Sequence, residues 1–133
     1  MRILSILALS MIGQPAAPSP PLQLVLFGAT WCAPCRAELR ALPALQQAAA
    51  PDRVVLAWID QPPPLPAALA TGIVQMPPAE AARQAHALLG EGYGLPAAVL
   101  LDGNNRPCAV LRAPLKPAMI AGLREACRAH MLG

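Results

Sequence analysis

The sequence predicts an α/β fold, a small mixed β-sheet with helices on both faces. Short apolar segments rich in β-forming residues alternate with longer segments of helical spacing, which is typical of strands joined by crossover helices. The last two apolar segments are separated only by the turn signal GNN, so we expect them to form an antiparallel hairpin. The length of 133 residues, 56% of them hydrophobic, fits one domain.

The first half of the chain predicts a strand, a helix and a second strand. Residues 22–30 form one apolar run and residues 52–60 another, as expected of strands covered on both faces. Between them a helix should begin at the C-x-x-C motif, where Pro34 suits the first turn. Pro43 lies inside this helix and is expected to kink it. This order implies a parallel pair of strands with a right-handed crossover.

The second half begins with a proline-rich segment, residues 61–78. Proline excludes regular structure at its ends, which leaves a short helix near 65–71 and extended residues at 73–75. The remaining elements are a helix at 78–90 that ends at Gly90, strands at 95–102 and 106–113, and a last helix at 116–131 with Pro117 near its first position. The core-facing side of the last helix is predicted to comprise Met119, Ile120, Leu123, Cys127 and Met131.

Residues 1–21 resemble a secretory signal peptide followed by a proline-rich linker. Arg2 precedes an apolar stretch at 3–12, and small residues follow near Ala17, in the order typical of export signals. The apolar stretch has about half the length that spans a bilayer. We therefore expect a periplasmic or otherwise exported protein whose folded domain covers residues 22–133. A short uncleaved anchor and a buried first strand are the alternatives.

The charge pattern argues against a nucleic-acid partner. The net charge is only +3, and the basic residues form no run. One phenylalanine and one tyrosine, Phe27 and Tyr93, are available to stack on bases. We expect the charged residues to form an ordinary solvated surface.

Cys32 and Cys35 are spaced as C-x-x-C at the predicted start of the first helix. Three interpretations are open at this point: a redox pair, half of a metal site, or two buried cysteines that pack as small apolar groups. The unpaired amides of a helix N-terminus stabilise a thiolate, so the pKa of Cys32 should fall below the free value of about 8.5. Cys35 lies one turn along the helix, which is the geometry that thiol–disulfide exchange needs.

Two segments together carry a resemblance to a known family. FGATWCAPCRAEL is similar to the active-site segment of the thioredoxin superfamily, and YGLPAAVLLDGNNRPCAVLRA is similar to its later segment, where a cis-proline precedes a strand. The resemblance runs from about Leu22 to the end of the chain, and residues 61–78 match poorly. CAPCRAEL resembles the exported, TlpA/ResA-like thiol–disulfide oxidoreductases, which include reductases of cytochrome c maturation. The resemblance implies a thioredoxin fold and a catalytic pair, Cys32 and Cys35.

The resemblance also implies how substrates are bound and which way electrons move. Pro96 would be cis and lie against the disulfide, and the backbone of Leu95 would pair with the substrate chain. Trp31 would present an aromatic face to a partner peptide, and partly buried packing is its alternative. Ala33 and Pro34, in the active-site loop, resemble those of the reducing members. We therefore expect a monomeric reductase of exported protein thiols, without cofactor or metal, supplied by a membrane electron donor.

Glu38 lies six residues beyond Cys32, a position that is commonly acidic in the TlpA-like branch. Leu26 occupies the position where thioredoxins usually have a buried aspartate. Glu38 is therefore the candidate to accept the proton of the resolving cysteine during exchange, and a solvated helix glutamate is the alternative. Arg40 stands where the family usually has a proline, so the helix kink is expected to move to Pro43.

The other two cysteines, Cys108 and Cys127, are expected to form a structural disulfide. The strand back from residue 112 covers roughly 13 Å, and the helix from residue 117 covers roughly 15 Å in the opposite direction. Cys108 and Cys127 are then expected to lie side by side. Closing this loop stabilises the domain by roughly 3 kcal/mol in the chain-entropy model. Two buried thiols that do not touch are the alternative.

Two rival functions can be weighed against exchange chemistry. A structural zinc site usually repeats its C-x-x-C or adds a histidine pair, whereas His86 and His130 are isolated, so no metal site is expected. A non-catalytic module of the same fold that binds a partner or assembles a metal site has no need of both thiols in an intact Trp-Cys-x-Pro-Cys motif.

Overall fold

The computed structural model describes Gly13 and residues 21–132. The predicted signal peptide and linker therefore lie outside the described residues, apart from Gly13 and Pro21. The elements are β1 (Gln23–Gly28), α1 (Ala33–Arg40), α2 (Leu42–Ala49), β2 (Arg53–Trp58), α3 (Ala67–Ala70), β3 (Ile73–Gln75), α4 (Pro78–Leu89), β4 (Ala97–Leu101), β5 (Pro107–Leu111), a 3-10 helix (Pro117–Met119) and α5 (Ile120–Leu132). None of the described helices has the length and apolar character needed to cross a membrane.

The strands form one mixed sheet in the order β3-β2-β1-β4-β5. β1, β2 and β3 are parallel, while β4 runs antiparallel to both β1 and β5. The antiparallel pairing therefore begins in the middle of the sheet, beside β1, and continues in the predicted terminal hairpin. The prediction of a mixed sheet with helices on both faces is confirmed.

The side chains of β1 alternate between the two faces of the sheet, and the hydrophobic core accordingly has two layers. Leu24 and Leu26 point to one side, where α2 and α5 pack, and Val25 and Phe27 point to the other, where α4 packs. All four side chains are fully buried. Since successive strand residues face opposite sides of a sheet, an unbroken apolar run is what a strand covered on both faces requires.

The predicted kink after the C-x-x-C motif is a complete break between α1 and α2. Pro43 lies in the first turn of α2 and has no N–H to continue the ladder of α1. The N–H of Ala41 donates instead to the carbonyl of Glu38, at 3.0 Å, in a tightened last turn. The break separates the helix of the C-x-x-C motif from the helix that covers the core.

The proline-rich segment contains both of its predicted elements, α3 and β3. The backbone carbonyl of Pro63 accepts a hydrogen bond of 2.7 Å from Nε2 of Gln75, which ties the loop to the edge strand. β3 extends the sheet by pairing in parallel with β2. The segment is thus a short crossover.

The core face of the last helix differs from the prediction. Ile120 and Cys127 are buried and Leu123 is partly buried, but Met119 is 38% and Met131 49% exposed. The prediction is wrong for these two methionines. Pro117–Met119 forms a 3-10 helix with a different residue repeat, and Met131 lies in the last turn of the described helix.

A disulfide joins Cys108 on β5 to Cys127 on α5, with the Cα atoms 4.6 Å apart. Cys127 is fully buried in the layer under α2. The disulfide connects the edge strand β5 to α5, which covers it. The strand and the helix run in opposite directions, so Cys108 and Cys127 lie side by side.

Candidate functional site

The first disulfide lies where the chain passes from β1 into α1. Cys32 is the N-cap residue of α1, and its Sγ accepts a hydrogen bond of 3.2 Å from the N–H of Cys35. The Cα atoms of the two cysteines are 5.2 Å apart. The N–H of Cys32 donates to the carbonyl of Ala29 and closes the turn that follows the strand.

The two sulfurs differ in surroundings. Cys32 keeps 5% of its surface exposed, against 2% for Cys35. In the reduced state, the free amides of the first turn of α1 stabilise negative charge on the sulfur of Cys32. Pro34, also in the first turn, has no N–H of its own that would need a partner. Cys32 is thus the more accessible and the better stabilised of the two thiolates.

Trp58 underlies the cysteine pair, and the sequence reasoning missed it. It pairs in register with Gly28, and a Cβ added at Gly28 would lie 2.7 Å from the indole Nε1 and 3.2 Å from Cβ of Cys35. Trp58 clusters with Ala29 and both cysteines. The sequence could have indicated Trp58 by its place at the carboxyl end of the second predicted strand, because the carboxyl ends of parallel strands lie at the same edge of the sheet.

The loop before β4 forms one wall of the site. The Leu95–Pro96 peptide bond is cis, and Pro96 is buried. Leu95 is partly buried and packs against the cluster that contains Cys32, Cys35 and Trp58. The structure thus brings together the two segments that carried the family resemblance.

Trp31 stands immediately before Cys32 and projects from the surface. It is 68% exposed, which does not fit the alternative of partly buried packing. An exposed indole at this position offers a large rigid contact surface to another chain.

A polar network fixes the loop that precedes Trp31. The carboxylate of Asp60 accepts hydrogen bonds from the N–H and the hydroxyl of Thr30 and from the N–H of Gln61. Slight desolvation alone would raise the pKa of Asp60, but these hydrogen bonds lower it below its ordinary value. Arg36 donates from Nη1 to the carbonyl of Thr30 at 2.6 Å. The N–H of Thr30 is therefore bonded to Asp60 and its carbonyl to Arg36. Sequence reasoning did not single out either charged residue.

Glu38 is half-buried on α1, one turn beyond Cys35. Its carboxylate accepts a hydrogen bond of 2.7 Å from the N–H of Leu115. Burial raises the pKa of Glu38 from 4.5 to about 7, although the bond from Leu115 lowers it. This carboxyl therefore changes protonation near neutral pH, unlike a solvated helix glutamate.

The remaining candidate residues lie elsewhere. Cys108 and Cys127 belong to the layer under α2, apart from the cluster around Cys32. His86 and His130 are exposed on α4 and α5. Over residue 13 and residues 21–132, no group of three or more histidine, cysteine or acidic side chains is placed to hold a metal ion.

Comparison with known proteins supports the fold. Neither the protein-family models nor the curated proteins contain a match to this chain. Among solved structures, StoA from Bacillus subtilis matches with a TM-score of 0.56 at 13% identity, over 80% of this chain and 84% of that chain. A thiol:disulfide interchange protein of the thioredoxin family from Chlorobium tepidum TLS matches with a TM-score of 0.55 at 21% identity, over 80% of each chain. A DsbF homologue from Corynebacterium diphtheriae matches with a TM-score of 0.53 at 18% identity, over 80% of this chain and 71% of that chain. With its five-stranded mixed sheet and a disulfide at the start of α1, the chain has a thioredoxin fold.

Proposed function

We propose that this chain is a thiol–disulfide oxidoreductase that reduces disulfides in exported proteins. One observation carries the proposal: the Cys32–Cys35 disulfide lies at the N-terminus of α1, with Cys32 as the N-cap residue. A helix N-terminus stabilises the thiolate that exchange requires. The matched structures from Chlorobium tepidum and Corynebacterium diphtheriae, which are named as a thiol:disulfide interchange protein and a DsbF homologue, add support.

The reaction transfers two electrons from the Cys32/Cys35 dithiol to a substrate disulfide. The Cys32 thiolate attacks one substrate sulfur, the substrate S–S bond breaks, and the released substrate thiolate takes up a proton. The thiol of Cys35 then loses its proton and attacks Sγ of Cys32. This step breaks the mixed disulfide, frees the second substrate thiol and forms the Cys32–Cys35 disulfide.

Glu38 is proposed to accept the proton of Cys35 in the second step. It follows Cys35 by one turn on α1, and side chains three residues apart lie on the same helix face. Its pKa of about 7 lies close to the operating pH, which is where a general base is most effective. Glu38→Gln should slow exchange near neutral pH and flatten its pH dependence, and unchanged rates at every pH would remove Glu38 from the mechanism.

Substrate binding is assigned to Trp31, Leu95 and Pro96. Three observations support this: Trp31 is exposed and precedes Cys32, Leu95 packs against the cysteine cluster, and the Leu95–Pro96 bond is cis. The backbone of Leu95 is proposed to pair with the substrate chain, and the indole of Trp31 to cover the substrate side chain next to the cysteine.

The direction of exchange, the electron donor, the cellular process and export are proposed as well. Ala33 and Pro34 between the cysteines support a reductase, and a reductase of exported proteins needs an electron donor in the membrane. Cytochrome c maturation is the process that the motif resemblance favours. We further propose that residues 1–21 direct export of a monomeric domain formed by residues 22–133.

Trapping distinguishes this enzyme from a non-catalytic module that binds a partner or assembles a metal site. Cys35→Ser removes the resolving thiol, so mixed disulfides between Cys32 and substrate should accumulate, and Cys32→Ser is the matched control that should trap none. A non-catalytic module would trap nothing in either variant. The reduction potential of the pair, read by alkylation in defined redox buffers, tests the direction. A value near about −270 mV supports a reductase, and one near about −120 mV contradicts it.

A further inference from the structure

Four exposed cations lie on two segments that contact each other, α1 and the segment after β5. Arg36 and Arg40 lie on α1, and Arg112 and Lys116 lie on the segment that leads to the last helix. The sequence separates the two pairs widely, and its basic residues form no run. We call these four residues the basic surface.

One hydrogen bond brings the two pairs together. The N–H of Leu115 donates to Oε2 of Glu38, a contact between residues 77 positions apart. Lys116 is the next residue after Leu115, and Arg40 lies two residues beyond Glu38. Each of the four cations therefore lies within three residues, along the chain, of one of the two residues that make this contact.

Arg36 connects the basic surface to the redox pair. It is one helical turn from Arg40, and its Nη1 donates to the carbonyl of Thr30, two residues before Cys32. The basic surface thus includes a cation bonded to the loop that precedes Cys32, and it extends along α1 to Arg40.

Within the described part of the chain, no carboxylate forms an ion pair with these cations. The ion pairs there are His86–Glu91, Arg124–Asp52 and Arg128–Glu125. Glu38 is half-buried and directed to a backbone N–H. Asp60 contacts Thr30 and Gln61 instead. The positive charge of the basic surface is therefore available to an external anion.

We infer that the basic surface binds an acidic segment of the protein substrate next to the disulfide that the substrate presents to Cys32. The inference rests on the proposed exchange function and names its substrate class. A protein partner fits better than an anionic membrane because Arg36 is bonded to the loop that precedes Cys32, which has to meet the substrate sulfur. Complementary charge at such a site increases the rate of encounter by tenfold or more.

The test compares two disulfide peptides that share one cysteine loop, one flanked by three glutamates and the other by three lysines. The reduced protein should react about tenfold faster with the acidic peptide at low salt. In 0.5 M NaCl this preference should fall below about twofold, since the exposed charges are then screened. Equal rates at low salt would overturn the inference.

Two variants of equal net charge locate the effect. The combined substitutions Arg40→Gln, Arg112→Gln and Lys116→Gln should abolish the preference for the acidic peptide. The matched control combines Arg53→Gln, Arg83→Gln and Arg106→Gln, three exposed cations outside the basic surface, and should keep the preference. An equal loss in both variants would mean that total charge, not this surface, selects the substrate.

A neutral disulfide separates failure of the inference from failure of the proposed function. All three proteins should reduce hydroxyethyl disulfide at the same rate, because this reagent carries no charge. No reaction with it or with either peptide would refute the proposed function and the inference together. If the peptides react equally while the basic surface is needed for sedimentation with phosphatidylglycerol vesicles, the surface binds membranes and the inference is wrong.

Discussion

Replacing Glu38 with glutamine should remove a loss of stability that the wild-type protein shows as the pH rises through 7. The carboxyl is half-buried and bonded to the N–H of Leu115, and its pKa is raised from 4.5 to about 7. Glutamine has the same shape and still offers an oxygen to Leu115, but it cannot ionise. The variant therefore isolates the free energy of burying a charge at this position.

The sign follows from proton linkage. A carboxyl with a raised pKa in the folded state stabilises the protein fully below 4.5, and this contribution is lost as the pH rises through 7. The shift corresponds to about 3 kcal/mol in the free energy of unfolding. Wild type and Glu38→Gln should be nearly equal at pH 4, and the variant should be more stable by about 3 kcal/mol at pH 8.5.

Urea denaturation at both pH values, with the disulfides oxidised, measures the difference. Glu125→Gln is a suitable control because this carboxylate is exposed on α5, and its loss should change the free energy by less than about 1 kcal/mol at either pH. The reasoning is refuted if the Glu38→Gln variant differs from wild type by the same amount at pH 4 and pH 8.5.

Two further sets of substitutions test the Cys108–Cys127 disulfide and the space beneath Cys32 and Cys35. Replacing Cys108 and Cys127 with alanine should lower the free energy of unfolding by about 3 kcal/mol, because the 19-residue loop is no longer closed; an unchanged urea midpoint would contradict a structural role. Gly28→Ala places a Cβ 2.7 Å from the indole of Trp58, so overpacking should cost about 1–3 kcal/mol. Adding Trp58→Leu should recover most of that loss, and no recovery in thermal unfolding would mean that the clash lies elsewhere.

The elements that sequence alone predicts well are those with strong local signals. The apolar runs of β1 and β2, the first-turn Pro34 and the glycine that ends α4 each depend on a residue's own backbone or burial preference. The start of α1 at the C-x-x-C motif follows in the same way, and it already places the candidate nucleophile. These signals act over a few residues and need no knowledge of the tertiary fold.

The features that sequence reasoning missed depend on contacts between distant segments. Trp58 lies under the cysteines because β2 pairs in register with β1, which places Trp58 beside Gly28. Burial raises the pKa of Glu38, and the N–H of Leu115, from a segment 77 residues away, lowers it in part. Helical spacing alone also assigned Met131 to the core, although this residue is 49% exposed in the last turn of the described helix.

The spacing of the four cysteines influences which disulfides form when the newly made chain is oxidised. Four cysteines allow three pairings, and the pairs in this structure span 3 and 19 residues. Every other pairing must close a loop at least as long as that from Cys35 to Cys108, which spans 73 residues. Closing a 73-residue loop costs about 1 kcal/mol more than closing the 19-residue one. Loop closure in the unfolded chain therefore favours the pairs seen in the folded structure over every mispaired set.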